Sequence, residues 1–371
     1  KLKNNKIQKS YKQIFLSWWF LSGVFFIILG GGSFFINPYL AFIATSWIIF
    51  GLLGLSLDIV WGRSGFLSLG QTAFYGLGAY TGGIVAINLT NISNNTLLWS
   101  ILTGGLTGII ISIFLGWIIF YGRMGTLQST ILTYTFVLIL WTLGLSFNTK
   151  IGKAVVGGDN GMSNVPEFKI GFFEYSKILE PNGMFLVVVL IASIVYFVSQ
   201  FIMKSPFGLI IDCIRLDFLK TELLGYDIRF YQILLFAYAG GIAGIAGALF
   251  GAWATYLNPS IFSVQEALLV PIYVLVGGLG TLIGPFIGAL LVGGLSFWLG
   301  GGVIGGQTTL VMGAILILFV ILLKKGLIGI LKDLITFLKN HFTQETKRDP
   351  NIEFVADINL NKLDHILNKN S

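Results

Sequence analysis

Long apolar runs alternate along the chain with short breaks that hold most of the charge. A run of roughly 18 or more apolar residues is long enough to cross a bilayer as a helix. The pattern predicts spanning helices at about 14–36, 40–60, 66–89, 97–120, 126–147, 184–203 and 230–257. Two shorter runs follow at about 267–279 and 283–299, and a last one at about 309–323. The run at 267–279 is short for an ordinary span, so 267–299 forms either two spans or a re-entrant piece.

The largest polar island lies between two of these runs, from Lys204 to Tyr231. It carries four basic residues (Lys204, Arg215, Lys220, Arg229) and four acidic ones (Asp212, Asp217, Glu222, Asp227). Ser205 is placed to cap a helix that opens with Pro206, where a missing N–H costs nothing. Phe207, Ile210, Ile211, Ile214 and Phe218 fall on one face at helical spacing. Asp217 and Lys220, three apart, form a surface pair. Gly225 is a natural stop. The prediction is one amphipathic helix at a membrane surface, either a plain connector or a docking face for a partner.

Composition narrows the class. The 371 residues are 55% hydrophobic and 11% charged, less than half the charge of a typical soluble domain. The fold class is all-α, a polytopic membrane protein with about ten transmembrane helices. The net charge of +7 is no nucleic-acid signal, because the basic residues sit mainly in tails and loops. Lys1, Lys3, Lys6, Lys9 and Lys12 keep the start in the cytoplasm. Ten crossings then put Arg63, Arg123, 204–229 and Lys324–Lys325 inside, and 148–183 and 300–306 outside. The organisation expected is a cytoplasmic tail at 1–13, a membrane domain at 14–325 with its outer loop at 148–183, and a cytoplasmic tail at 326–371. No cleavable leader is expected, since the first apolar run leads straight into a second.

Chemistry is sparse. The single cysteine, Cys213, excludes an intrachain disulfide and a four-cysteine zinc site. The two histidines, His341 and His365, lie in the C-terminal tail. No metal, cofactor or intramembrane catalytic set is expected. Val156–Gly161 resembles a phosphate loop but lacks the Gly-Lys-Ser/Thr ending, so any ATP hydrolysis belongs to another polypeptide. Asp58 is the acid within the first five runs, and its spacing suggests an interfacial pair with Arg63. Without an Asp, Glu or His in mid-span, proton coupling has little to work with. Ser68, Gln71, Thr72, Gln128, Ser129, Thr130 and Thr133 either line a path for a small polar solute or bond between helices. Glycines four apart (Gly78/Gly82, Gly104/Gly108, Gly240/Gly244, Gly247/Gly251, Gly280/Gly284/Gly288) let helix backbones approach closely. They serve either tight packing or helices that slide.

Four segments, in order, carry a family resemblance. Residues 57–80 read Leu57-Asp-Ile-Val-Trp-Gly-Arg-Ser-Gly-Phe-Leu-Ser-Leu-Gly-Gln-Thr-Ala-Phe-Tyr-Gly-Leu-Gly-Ala-Tyr80. Then come Gly157-Gly-Asp-Asn-Gly161, Ser205-Pro-Phe-Gly208 with Ile214-Arg215 and Glu222-Leu-Leu-Gly225, and Asn258-Pro-Ser with Val276-Gly-Gly-Leu-Gly-Thr-Leu-Ile-Gly-Pro285. Together they resemble LivM-type permeases, inner-membrane subunits of ABC importers for branched-chain amino acids, urea and short amides. The resemblance covers about residues 40–330. This chain has Gly70-Gln71 where many relatives have Gly-His, and Met162 where Leu is common.

The resemblance implies a type II importer-like fold in a bacterial inner membrane. It implies as partners a second, LivH-type permease, two cytoplasmic ATPases, a periplasmic binding protein and the lipid membrane, with no nucleic acid. ATPase coupling would fall to Ser205, Pro206, Phe207, Gly208, Ile214, Arg215, Glu222 and Gly225. Ser68, Gln71, Thr72, Gln128, Asp159 and Asn160 are candidates for the solute path. Gly240, Gly244, Gly280, Gly284 and Gly288 are candidates for helix packing. A channel or facilitator that works without an ATPase is the alternative from a different class.

Overall fold

The computed structural model describes residues 21–90, 92–93, 95–172, 175–300, 313–314 and 326–329. The chain divides into compact units at 1–326 and 327–371. In the second unit only a helical stretch at 327–329 is described. The predicted tails and the predicted helix at 309–323 lie outside the described residues, apart from isolated positions.

The helices follow the apolar runs: α1 (Leu21–Gly32), α2 (Pro38–Asp58), α3 (Gln71–Leu89), α4 (Thr96–Tyr121), α5 (Thr126–Ser146), α6 (Pro181–Lys204) and α9 (Ile228–Ala254). The short helices α7 (Pro206–Leu216) and α8 (Phe218–Leu223) fill the polar island. The two late runs form α10 (Val264–Gly277) and α11 (Gly284–Gly300). Five helical stretches (38–64, 96–121, 126–146, 181–204 and 228–254) are long and apolar enough to cross a membrane among the described residues.

Two expectations change. The helix predicted from residue 66 starts only at Gln71. α2 first runs on as a π-helical turn, Ile59–Ser64, and Gly65 at φ 76° ends it. Residues 66–70 are then non-helical, and their backbone needs partners inside the membrane. The α5 hydroxyls supply them: Thr130 Oγ1 donates to the Leu67 carbonyl at 2.7 Å, and Thr133 Oγ1 accepts from the Leu69 N–H at 3.3 Å. The second change is in the polar loop after α5. It folds into two antiparallel hairpins, β1 (Asn148–Ile151) with β2 (Ala154–Gly157) and β3 (Lys169–Phe172) with β4 (Tyr175–Ile178).

The core is a seam where α9 packs against α3 and α4. A Cβ at Gly104 would lie 2.9 Å from the carbonyl oxygens of both Gly78 and Gly244. Gly108 lies against the Gly240 carbonyl, and Gly247 against that of Tyr75. Such spacing is possible only without side chains, and close backbone approach is how membrane helices gain packing energy. The opposite face of α4 exposes Leu98, Leu102, Leu106, Ile110, Phe114 and Trp117, an apolar stripe suited to lipid.

Contacts between connecting segments fall into two groups. Arg63 meets Asp212, Arg215 meets Gly62, and Asp58 meets Gly280 and Leu282. At the other ends of the helices, Asn88 bonds Ile151 and Lys153, Tyr256 bonds Asn160, and Met162 pairs with Leu257. The first group joins Arg63 to the 204–229 island, and the second includes residues of the 148–183 loop.

Candidate functional site

The first candidate site is built where α6 turns into the polar island. α6 ends at Lys204, and Ser205 is extended at φ −70°, ψ 170°. Its hydroxyl donates back to the Ile202 carbonyl at 2.7 Å, so it closes α6 and does not cap α7 as predicted. Pro206 opens α7. Gly208 sits directly on the Met203 carbonyl, which leaves no room for a Cβ and sets how closely α7 folds back on α6.

The single predicted helix is two. Asp217, at φ −156° and ψ 99°, breaks it. The Asp217 carboxylate accepts from the Lys220 N–H at 3.1 Å to start α8, and its other oxygen lies 2.8 Å from Lys220 Nζ. The Lys220 side chain and then its amide hold the Asp217 carboxyl below its ordinary value of 3.8. Gly225 follows at φ 90°. Ile211 and Ile214 are buried as the periodicity requires, while Phe207 is half-buried and Phe218 is exposed. The outward face carries Leu216, Leu219, Leu223 and Leu224, each at least 69% exposed, beside the exposed Glu222.

Arg215 joins this segment to the membrane core. Its guanidinium donates to the Gly62 carbonyl in the π turn after α2. π turns leave backbone groups open to such partners. Arg63 does not pair with Asp58, as expected from spacing; it pairs with Asp212 on α7 at 3.2 Å. Asp58 is fully buried and accepts the Gly280 and Leu282 N–H groups at 2.5 and 2.8 Å. The π turn rotates Arg63 toward α7 and leaves Asp58 facing the α10–α11 turn. One knot therefore ties α7, the end of α2 and the α10–α11 turn together. A cavity of about 510 Å³ beside it is lined by Arg123, Arg215, Arg229 and Glu222 among others.

The path candidates separate. Ser68, Gln71 and Thr72 are buried near the start of α3. Gln71 Oε1 accepts from Ser56 on α2 at 3.2 Å, and Ser68 Oγ accepts from the Gly70 N–H. Gln71 Nε2 and Thr72 Oγ1 have no hydrogen-bond partner among the described residues. Gln128 is not with them: it is exposed, and its side chain accepts the Gly125 N–H at the start of α5. Asp159 and Asn160 lie exposed in the outer turn, where the Asn160 carbonyl accepts from Tyr256.

The packing candidates separate too. Gly240 and Gly244 lie in the α9 seam, and Gly284 and Gly288 pack α11 onto α10. Gly280 is not on a helix. It sits in the turn at φ 77° and gives its N–H to Asp58.

One residue escaped the sequence reading. Glu266, in the first turn of α10, lines a cavity of about 270 Å³ between the middle of α2, the early turns of α3 and the outer end of α9. The available signal was an acid in a short apolar helix.

Helices with lipid-suited outer faces, a glycine-packed core and an amphipathic element between two spans define a polytopic membrane permease. A family described as "Branched-chain amino acid transport system / permease component" matches residues 39–322, and the chain belongs to it. Over 271 residues it is 29% identical to the high-affinity branched-chain amino acid transport system permease protein LivM of Escherichia coli (strain K12). The same holds for LivM of Salmonella typhimurium (strain LT2). Both matches cover 67% of this chain and 61% of the relative, so the chain spans about three-fifths of the curated relatives it matches. No solved structure matches.

Proposed function

We propose that this chain is the transmembrane permease subunit of an ABC importer in a bacterial inner membrane. It moves branched-chain amino acids, or a related small solute such as urea or a short amide, with ATP hydrolysis on separate subunits. Its partners are a second, LivH-type permease, two cytoplasmic ATPases and a periplasmic binding protein. Family membership favours the transport role. The observation that carries the ATPase-coupled reading is the α7–α8 segment. It lies between two spans, its inner face is buried, and its outer face presents four exposed leucines beside Lys220 and Glu222. A water-facing surface of that kind is an interface in search of a protein partner.

The proposed mechanism uses the knot. When ATP draws the paired ATPases together, α7 moves with them. Arg215 passes that motion to the Gly62 carbonyl, and Asp58 passes it to the α10–α11 turn. The glycine seam lets α9 move against α3 and α4, so the bundle changes which side is open.

The test is co-purification from detergent, with 205–225 intact and then scrambled. An ATPase retained by the intact chain and lost from the scrambled one is the expected result. Uptake by the chain alone, with no ATPase bound even under gentle extraction, would instead establish a facilitator.

A further inference from the structure

The mechanism above leaves one polar site unused. This cavity is lined, among others, by Phe50 of α2, Tyr75 of α3, Phe250 of α9, Tyr256, Asn258 and Ser260 of the following linker, and Glu266 of α10. Its volume of about 270 Å³ is close to the lower end of small-molecule pockets, roughly 300 Å³.

Glu266 has no structural employment there. An acid three residues after a serine cap can complete a capping box by reaching back to the cap N–H. Here Ser263 Oγ does accept from the Glu266 N–H, at 3.4 Å, but the Ser263 N–H goes to the Ser260 carbonyl at 2.8 Å. Among the described residues the Glu266 carboxylate has neither a hydrogen-bond donor nor a counter-ion. A part-buried carboxylate left without a partner is costly unless something charged comes to it.

Aromatic side chains line the cavity beside the polar Asn258 and Ser260. The rings of Phe50, Tyr75 and Phe250 lie 5.6 to 6.4 Å apart, and Tyr273 stands 6.0 Å from Phe50. The Tyr75 hydroxyl is buried and has no hydrogen-bond partner among the described residues, though its residue is only 2% exposed and lines the cavity. One helical turn back toward the start of α3, on the same face, is Gln71, whose Nε2 likewise has no hydrogen-bond partner among the described residues. The outer end is closed by Tyr256, which bonds the glycine-rich turn at Asn160.

We propose that this cavity is a subsite of the solute path that takes a primary ammonium group, with the Glu266 carboxylate as counter-ion, the aromatic rings as cation–π partners and the Tyr75 hydroxyl as a further contact. A carboxylate among aromatic rings selects a cation over a neutral amide. The solute is therefore an amino acid in its zwitterionic form, and urea fits poorly. This inference rests on the permease reading and specifies its substrate.

The experiment uses the complete complex in proteoliposomes, with uptake of radiolabelled leucine and of urea measured for wild type, Glu266→Gln, Glu266→Asp and Tyr75→Phe. Glu266→Gln is expected to lower leucine uptake by at least about tenfold, with the assembled complex at its wild-type amount by size exclusion. Glu266→Asp is expected to keep most uptake, and Tyr75→Phe to lower it by a smaller factor. Leucine uptake by Glu266→Gln equal to wild type overturns the subsite. So does wild-type uptake of urea but not leucine, although the importer reading survives that result. If wild-type uptake proves independent of ATP, the importer reading falls. Leucine counterflow in the same vesicles then compares wild type with Glu266→Gln, and equal rates overturn the subsite as well.

Discussion

Replacing Asp58 by asparagine should loosen the turn that joins α10 to α11. The carboxylate accepts two backbone N–H groups, from Gly280 at 2.5 Å and Leu282 at 2.8 Å, in a fully buried site. A hydrogen bond to a charged group contributes roughly 1.5–3 kcal/mol. Asparagine keeps one oxygen for one of the two and turns its own NH₂ toward the other, so one such bond is lost. Removing a buried charge recovers part of that, which puts the net loss near about 2 kcal/mol. Alanine loses both bonds and strands two buried N–H groups, for about 4 kcal/mol. At roughly 2 °C per kcal/mol for a large chain, apparent melting should fall about 4 °C for asparagine and twice that for alanine. Fluorescence-detected size exclusion after heating in detergent reads this directly. Arg63→Gln is the internal comparison: it removes a partly exposed pair with Asp212, worth at most about 1 kcal/mol. An Asp58→Asn protein that melts with wild type, or an Arg63→Gln protein that melts below Asp58→Asn, would refute the assignment of Asp58 to the turn.

Other expectations concern coupling and packing. Gly208→Leu places a side chain against the Met203 carbonyl; ATP hydrolysis by the complex should continue while uptake falls about tenfold or more, and unchanged uptake removes Gly208 from the coupling geometry. Arg215→Glu reverses the charge that donates to the Gly62 carbonyl and should uncouple in the same way, measured as the ratio of solute moved to ATP hydrolysed. Gly244→Leu forces α9 off the Gly104 carbonyl, and overpacking costs roughly 1–3 kcal/mol or more; a normal yield of monodisperse complex would argue against the seam. The Asp217 carboxyl is held below its ordinary value by Lys220, so its contribution to α8 is complete above that ordinary value and is lost as pH falls through the lowered one. Hydrogen exchange at the Lys220 amide should therefore show the same protection from about pH 5 to 8, and Asp217→Ala should remove it across that whole range.

Much of the bundle was legible from the chain because apolar length is a local property. The runs at 40–60, 97–120, 126–147, 184–203 and 230–257 all became helices within a few residues of those bounds. Glycine spacing in α9 likewise pointed to the face that meets α3 and α4.

What tertiary structure decided were the choices that depend on who stands opposite. Asp58 and Arg63 lie close in sequence, and a regular helix with a local pair was the economical reading. The π turn after Asp58 changes the angular register, so the two side chains find different partners far along the chain. Arg63 meets Asp212, 149 residues on, and Asp58 meets Gly280, 222 residues on. Gln128 read as a membrane-path residue because it is a polar side chain within a predicted span, yet it ends as a cap at the start of α5. Gly280 continued a stripe of glycines in the sequence but stands in a turn, since its N–H bond to Asp58 holds it there. Glu266 escaped notice in the sequence; only the convergence of α2, α3 and α9 around it makes a cavity. Hydrophobic length and helical period act within one segment and can be read from it, whereas the partner of a buried polar group is chosen by the packing of several.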